Sequence, residues 1–290
     1  MHRPMGLSPD YDRFKDEKWS LWIRREKMNE QLWPFVMRLI EQQPFSKHPQ
    51  TLQLNLPYGT RRDLLFLKVF HGSSGLGALK DIFRDSKALR SMRQAVGLAR
   101  SNFNVPITVA AGEKREHLLL QRAFVLTIGV DGQSLPVFLK ECALGVNNVS
   151  LSEKRHGLQQ LAMEVRRLHK LGFVHGDLVP TNILVSRSTG GVTRFFFMDN
   201  DRTRHYPRWV PHALWRRNLV QLNRIPLPGI TLQDRLRFLG YYLGSEKWAR
   251  KERHLLAWFE RKTRQRRKEC DSVDSSGSFR RLMRWYGELS

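Results

Sequence analysis

Cysteine is scarce in this 290-residue chain: there are two, Cys142 and Cys270, far apart in sequence. They give neither a disulfide framework nor the paired spacing of a thiolate metal site. Also missing is any uncharged apolar run of the roughly 18 residues that a membrane-spanning helix requires. The opening Met1-His2-Arg3-Pro4-Met5-Gly6 has no apolar stretch of the kind secretory signals carry, so a cytosolic setting is expected. Acid is in short supply, with 27 Asp and Glu against 50 Lys and Arg for a formal net charge of +23. Such a surplus attracts polyanions, and a nucleic acid, an anionic membrane surface or a phosphorylated lipid would satisfy it equally. Zinc-finger spacing and RNP-like motifs are absent, so no specific nucleic-acid partner is expected. No internal repeat is visible.

What is present suits a globular protein. Apolar residues make up 41% of the chain, with eight Trp and sixteen Phe, and the length allows one large domain or two lobes. Residues 11–42 place Trp19, Trp22, Ile23, Leu32, Phe35, Val36 and Ile40 largely at spacings of three and four, which predicts helix interrupted near Pro34. Alternation then takes over, with Leu52, Leu54 and Leu56, a Pro57-Tyr58-Gly59 turn and the run from Leu64 to Phe70 predicting a hairpin. A Gly-rich interlude from His71 to Gly77 leads into a basic helix over 79–101, ended by Asn104-Val105-Pro106. Strands are expected at 107–111, 118–130 and 136–140. Leu158, Leu161, Ala162, Val165 and Leu168 then mark an amphipathic helix over 152–171. A second hairpin, 182–185 with 194–198, precedes a mostly helical remainder and a polar tail from Asp271 to Ser278.

The chemistry concentrates in His175-Gly176-Asp177-Leu178-Val179-Pro180-Thr181-Asn182. Asn182 follows Asp177 by five residues, and Asp199 lies seventeen further on, behind Phe195-Phe196-Phe197-Met198. Alone, His-Gly-Asp reads as a turn with a local cap. With an amide five residues on and an acid at the end of a buried strand, it reads as a phosphoryl-transfer site, where one Asp accepts a hydroxyl proton and oxygen ligands hold Mg²⁺. Asp201 is a second-ranked metal ligand that can instead pair with Arg202 or Arg204. Lys68 shares a strand face with Phe66 and Phe70. A lone lysine there snorkels to water, but beside such a site it is suited to nucleotide phosphates.

The set Lys68, His175-Gly176-Asp177 with Asn182, and Met198-Asp199-Asn200-Asp201 resembles the protein-kinase-like fold. More narrowly it resembles the bacterial lipopolysaccharide kinase family, which includes the Kdo and heptose kinases. The narrower likeness rests on Ser86-Lys87-Ala88-Leu89-Arg90-Ser91-Met92-Arg93, Asp199-Asn200-Asp201-Arg202, Asn218 to Arg224 and Asp234 to Leu239, and the likeness spans about residues 50–245.

The resemblance implies an α+β, two-lobed fold with a strand-rich N-lobe and a mainly helical C-lobe, and a nucleotide site in the cleft between them. Residues 1–50 would be a helical extension, 51–131 the N-lobe, 132–270 the C-lobe and 271–290 a tail. It implies ATP and Mg²⁺ as cofactors, with Lys68 on the α and β phosphates, Asp177 as catalytic base, His175 bracing the loop, and Asn182 and Asp199 as metal ligands. Thr127, Ile128, Gly129 and Val130, running on to Asp131, would form the hinge that receives adenine. The acceptor would be a sugar hydroxyl of lipopolysaccharide core or a related glycolipid, met at the inner face of the cytoplasmic membrane. A protein kinase of the same fold, or a pseudokinase or basic binding module, are the alternatives.

Three departures stand out. No Gly-x-Gly loop precedes Lys68, so any cover over the phosphates is degenerate or built from Pro44 to Gln50. The helix after Lys68 has no acid beyond Asp85, and carries Arg90, Arg93 and Gln94 where a glutamate would pair with the lysine. Val179 replaces the basic residue usual two positions after the catalytic Asp in protein-serine kinases, which tilts the reading toward small-molecule or sugar hydroxyls. Between Ser245 and Cys270, ten Lys and Arg meet four acids with Trp248, Leu255, Leu256, Trp258 and Phe259 interleaved. Such a helix either lies on an anionic interface or packs its aromatics inward.

Overall fold

The computed structural model describes residues 10–15, 18–25, 32–58, 61–73, 76–145, 150–187, 192–206, 210–225, 229–244 and 250–273. The N-terminal hexapeptide, Gly59, Trp248 and the polar tail beyond 273 lie outside them. The chain divides into two compact units, Met1–Val130 with Asp199–Arg202, and Asp131–Met198 with Thr203–Ser290.

The first unit is built on one antiparallel sheet. Its strands are β1 (Tyr11–Lys15), β2 (Trp19–Arg24), β3 (Gln50–Tyr58), β4 (Arg61–His71), β5 (Thr108–Glu116) and β6 (Leu119–Ile128), in the order β1-β2-β5-β6-β4-β3. Residues 11–15 and 19–24 are therefore paired antiparallel strands and not the expected helix. Trp19, Leu21 and Ile23 alternate onto one face of β2 and Trp22 onto the other, and each face enters its own core. Burial on both faces fills successive positions with apolar side chains and removes the polar alternation that marks a one-sided strand.

Helix α1 (Leu32–Gln42) covers one face, setting Val36 and Ile40 against Leu65, Leu67, Val109 and Phe124. Pro34 lies in its first turn, where a missing N–H breaks no helical bond, so the helix runs on uninterrupted. The expected basic helix is two, α2 (Leu76–Ile82) and α3 (Lys87–Arg100). They part because Ser86 caps α3, its hydroxyl accepting from Leu89 N at 3.2 Å. Helix α3 covers the second face, packing Ala88, Leu89 and Met92 on Phe70, Ala111 and Val125.

The second unit opens with β7 (Gln133–Ser134) and α4 (Leu135–Leu144). Residues 136–140 are thus helical, not a strand. Pro136 stands in the first turn, where its fixed φ favours helix and its lost donor has no cost. Helix α5 (Leu151–Lys170) starts at a capping box of Ser150 with Glu153. It ends at Gly172, whose φ of +84° lets its carbonyl meet Tyr206 N at 2.7 Å.

From there β8 (Phe173–Val174) pairs with β11 (Arg204–His205), while β9 (Ile183–Arg187) pairs with β7 and with β10 (Thr193–Phe197). Helices α6 (His212–Leu222), α7 (Leu232–Leu243) and α8 (Arg250–Val273) complete the unit. A buried ion pair, Lys154 to Asp234 at 2.9 Å, ties α5 to α7. Cys142 is buried and unpaired, and burial pushes its thiol up to about 11.

Candidate active site

The loop from His175 to Asn182 in the second unit is tied together by hydrogen bonds and by burial of Leu178 and Val179. His175 is fully buried and sits between two partners: its Nε2 lies 2.7 Å from the Met198 carbonyl, and Asp177 N donates to its Nδ1 at 3.2 Å. A carbonyl only accepts, so Nε2 carries the proton and the ring is neutral. Asn182 Nδ2 donates to the Asp177 carbonyl at 3.0 Å, and Met198 N donates to the Asn182 carbonyl at 2.9 Å. Asp177, Asn182 and the residue preceding Asp199 are thereby fixed to one another. Asn182 Oδ1 carries no hydrogen bond among the described residues, which leaves an amide oxygen of the kind a hard cation accepts.

Behind this loop stands a chain of buried polar groups that sequence reasoning missed. Tyr242 OH lies 2.9 Å from His169 Nδ1, and His169 Nε2 lies 3.0 Å from Asn218 Oδ1. Asn218 Nδ2 in turn donates to the His175 carbonyl at 2.5 Å and to Gln221 Oε1 at 3.0 Å. Gln221 Nε2 reaches Gly176 O at 3.4 Å and Asp177 Oδ1 at 3.5 Å. The directions are forced, since Asn218 Oδ1 accepts from His169, whose other nitrogen must accept from tyrosine. Burial pulls the His169 imidazole down to about 4. The signal available in sequence was Asn218 and Gln221 one helical turn apart, polar positions on an otherwise apolar face of α6.

In the first unit Lys68 projects from β4 on the α3 side, over the Phe70 ring at 5.5 Å, and its Nζ meets Asp199 Oδ1 at 2.6 Å. Asp199 has a left-handed backbone, φ +55°, and its carboxylate emerges beyond fully buried Phe197. For most non-glycine residues that conformation costs on the order of 1 kcal/mol, and Asp is among the few side chains that tolerate it. The Asp201 carboxyl is raised above its ordinary range, first by burial and then by the charge of Asp199. Two acids that repel each other in a partly buried place suit a divalent cation. Among the described residues no three His, Cys, Asp or Glu side chains gather as a metal cluster. At the expected hinge, Thr127 and Ile128 close β6. Ile128 N and Gly129 N are already engaged by the carbonyls of Ile107 and Leu64, at 2.9 and 2.6 Å. The segment 44–49 is irregular and leads into β3.

The sequence profile of the lipopolysaccharide kinase (Kdo/WaaP) family matches residues 78–242, more than half of the chain. The chain belongs to this family. The lipopolysaccharide kinase therefore has an ATP-dependent phosphotransferase activity with an alcohol group as acceptor. A solved structure titled WaaP in complex with acyl carrier protein is 22% identical with a TM-score of 0.58, over 82% of this chain and 95% of that one. It shares the α+β, protein-kinase-like fold. A mutant PknI kinase domain from Mycobacterium tuberculosis, 15% identical over 71% of this chain and 72% of its own, reaches a TM-score of 0.37. No curated protein matches the kinase in sequence.

Two other features lie apart from these residues. A cavity of about 460 Å³ in the second unit is walled by Leu135, Leu139, Leu161, Leu219, Leu239 and Phe259 among others, and none of the expected site residues lines it. Helix α8 turns its aromatics inward, Phe259 lying 6.2 Å from the Trp215 ring and Arg216 stacking over Trp258 at 5.6 Å. No helix among the described residues is long and apolar enough to cross a membrane.

Proposed function

We propose that this kinase transfers the γ-phosphoryl group of ATP to a hydroxyl of Kdo or heptose in lipopolysaccharide core, with Asp177 as the base. The observation that carries the reading is the fixing of Asp177 through all three of its polar parts. Its amide is on His175, its carbonyl on Asn182, and one carboxylate oxygen faces Gln221. The other oxygen is left to accept the acceptor's proton as the new P–O bond forms, and a base held this way loses little entropy at the reacting moment. Val179, two positions on and 4% exposed, offers no charge for a peptide substrate.

Asn182 and Asp199, with Asp201 in second place, are the residues that would hold Mg²⁺, whose chemistry is to offset negative charge on the phosphates. Lys68 would take the α and β phosphates. With the amides of Ile128 and Gly129 engaged, adenine recognition in Thr127 to Val130 falls to the carbonyls and to Val130 N. The kinase would work peripherally at the inner face of the cytoplasmic membrane, supported by its net charge of +23. Because the aromatics of α8 are turned inward, the attraction would be electrostatic and weakened by salt. An acyl carrier protein, the partner of the solved WaaP, is a further proposed partner, again supported by the positive charge.

Mass spectrometry of the glycolipid from cells carrying wild type or Asp177→Asn tests the reading. A single missing phosphate in the variant is expected. An unchanged glycolipid, or loss of a protein phosphosite instead, overturns it.

A further inference from the structure

A half-buried guanidinium with no ion-pair partner among the described residues stands, like Lys68, close to Asp201. Arg90 belongs to α3, the helix that packs against Asn200–Arg202. Its hydrogen bond, Nη1 to the Asp85 carbonyl, is 3.5 Å long, and its buried Nε has no partner. No carboxylate forms an ion pair with it among the described residues. The neighbouring acids are committed elsewhere: Asp85 to Arg93, Asp81 to Ser73 N, and Asp199 to Lys68. Asp201 feels Arg90 only through space, as it feels Lys68 and Arg202. Burial and the like charge of Arg84 work against the guanidinium, and Asp201, Asp81 and Asp85 offset them only through space, with no ion pair.

An arginine in this position is costly to keep unless an anion completes it. The ligand that suits it has several acceptor oxygens and more than one negative charge, since a guanidinium matches a phosphoryl group with two parallel N–H···O bonds. The glycine loop that cradles phosphates elsewhere is also missing here, so charge has to come from side chains.

We propose that Arg90 is an anion-binding residue that receives a phosphoryl group at this site. The group is either a phosphate of the nucleotide or a phosphomonoester already on the glycolipid acceptor. The inference rests on the phosphotransfer reading above for its ligand sources, and on the unpaired guanidinium for the site itself.

The test uses Arg90→Gln and Arg90→Lys in the full chain. Calorimetry with inorganic tripolyphosphate and with Mg·ATP reads the nucleotide source. Transfer kinetics on intact and phosphatase-treated glycolipid read the acceptor source. Arg90→Gln is expected to weaken at least one phosphoryl ligand tenfold or more, with Arg90→Lys intermediate. The melting midpoint of the ligand-free variant is expected to match or exceed that of wild type, because an unpaired buried cation has been removed.

Weaker tripolyphosphate and Mg·ATP binding assigns the nucleotide. A raised KM confined to the phosphorylated acceptor assigns the glycolipid. Unchanged affinities and KM in every arm overturn the proposal, as does a lowered melting midpoint with no ligand loss, which would make Arg90 a structural residue. If wild type transfers nothing to glycolipid, the proposed acceptor fails, while the tripolyphosphate and ATP arms still decide Arg90.

Discussion

Lys68 Nζ stands 2.6 Å from Asp199 Oδ1, so the strand lysine takes its counter-charge from the carboxylate proposed to bind metal. Helix α3 offers no acid at that level, and the pair fills the gap. Lysine and cation then share a claim on one carboxylate.

The first prediction concerns this pair. Its side chains are 27% and 39% exposed, so the ion pair contributes on the order of 1 kcal/mol or less to folding. Lys68→Met should therefore lower phosphate transfer at least a hundredfold while changing the urea-derived stability by no more than about 1 kcal/mol. A collapse of the fold in this variant would make the lysine structural.

Asp177→Asn should lower transfer by roughly 10²–10⁴ while leaving Mg·ATP affinity within about twofold of wild type, since the base acts only when the acceptor proton leaves. Single-turnover transfer and calorimetry on the same protein read the two quantities. Equal turnover would remove Asp177 from the mechanism.

Asn218 is 1% exposed and makes three hydrogen bonds. Asn218→Leu leaves buried partners unsatisfied and should cost about 2–4 kcal/mol in chemical denaturation. Gln221→Leu touches Asp177 only through one long contact, so it should lower kcat several-fold with little change in stability. A change confined to KM would argue that Gln221 positions substrate and not the base.

His169 gives a pH dependence with a definite sign. Its folded pKa of about 4 lies below the ordinary 6.5, so the neutral ring is the native form. The stability it contributes is complete above pH 6.5 and declines as pH falls toward 4, by at most about 3 kcal/mol. His169→Gln should flatten the stability profile across that window, and an unchanged slope would locate the acid sensitivity elsewhere.

How much of this was legible in the sequence depended on how local each signal was. The placement of the loop from His175 to Asn182, of Lys68 on its strand and of Asp199 beyond three phenylalanines was readable because immediate neighbours set each of these elements. The strands at Trp19 and Trp22 were not, because burial on both faces gives them a helix-like density of apolar residues. Nor was α4, where Leu135 to Lys140 is too short for either period to show and only the tertiary environment decides. The buried chain through Tyr242, His169, Asn218 and Gln221 joins positions up to 73 residues apart, a distance no spacing rule spans.

The N-terminal hairpin has a consequence for any shortened form of this kinase. Strand β2 covers the flank of β5 along Ala110, Ala111 and Gly112. A chain begun at residue 50 would present that flank as a bare edge of apolar and small residues, ready to pair with the same edge on another molecule. Self-association, not loss of chemistry, would be the first symptom of trimming what looks like a dispensable leader.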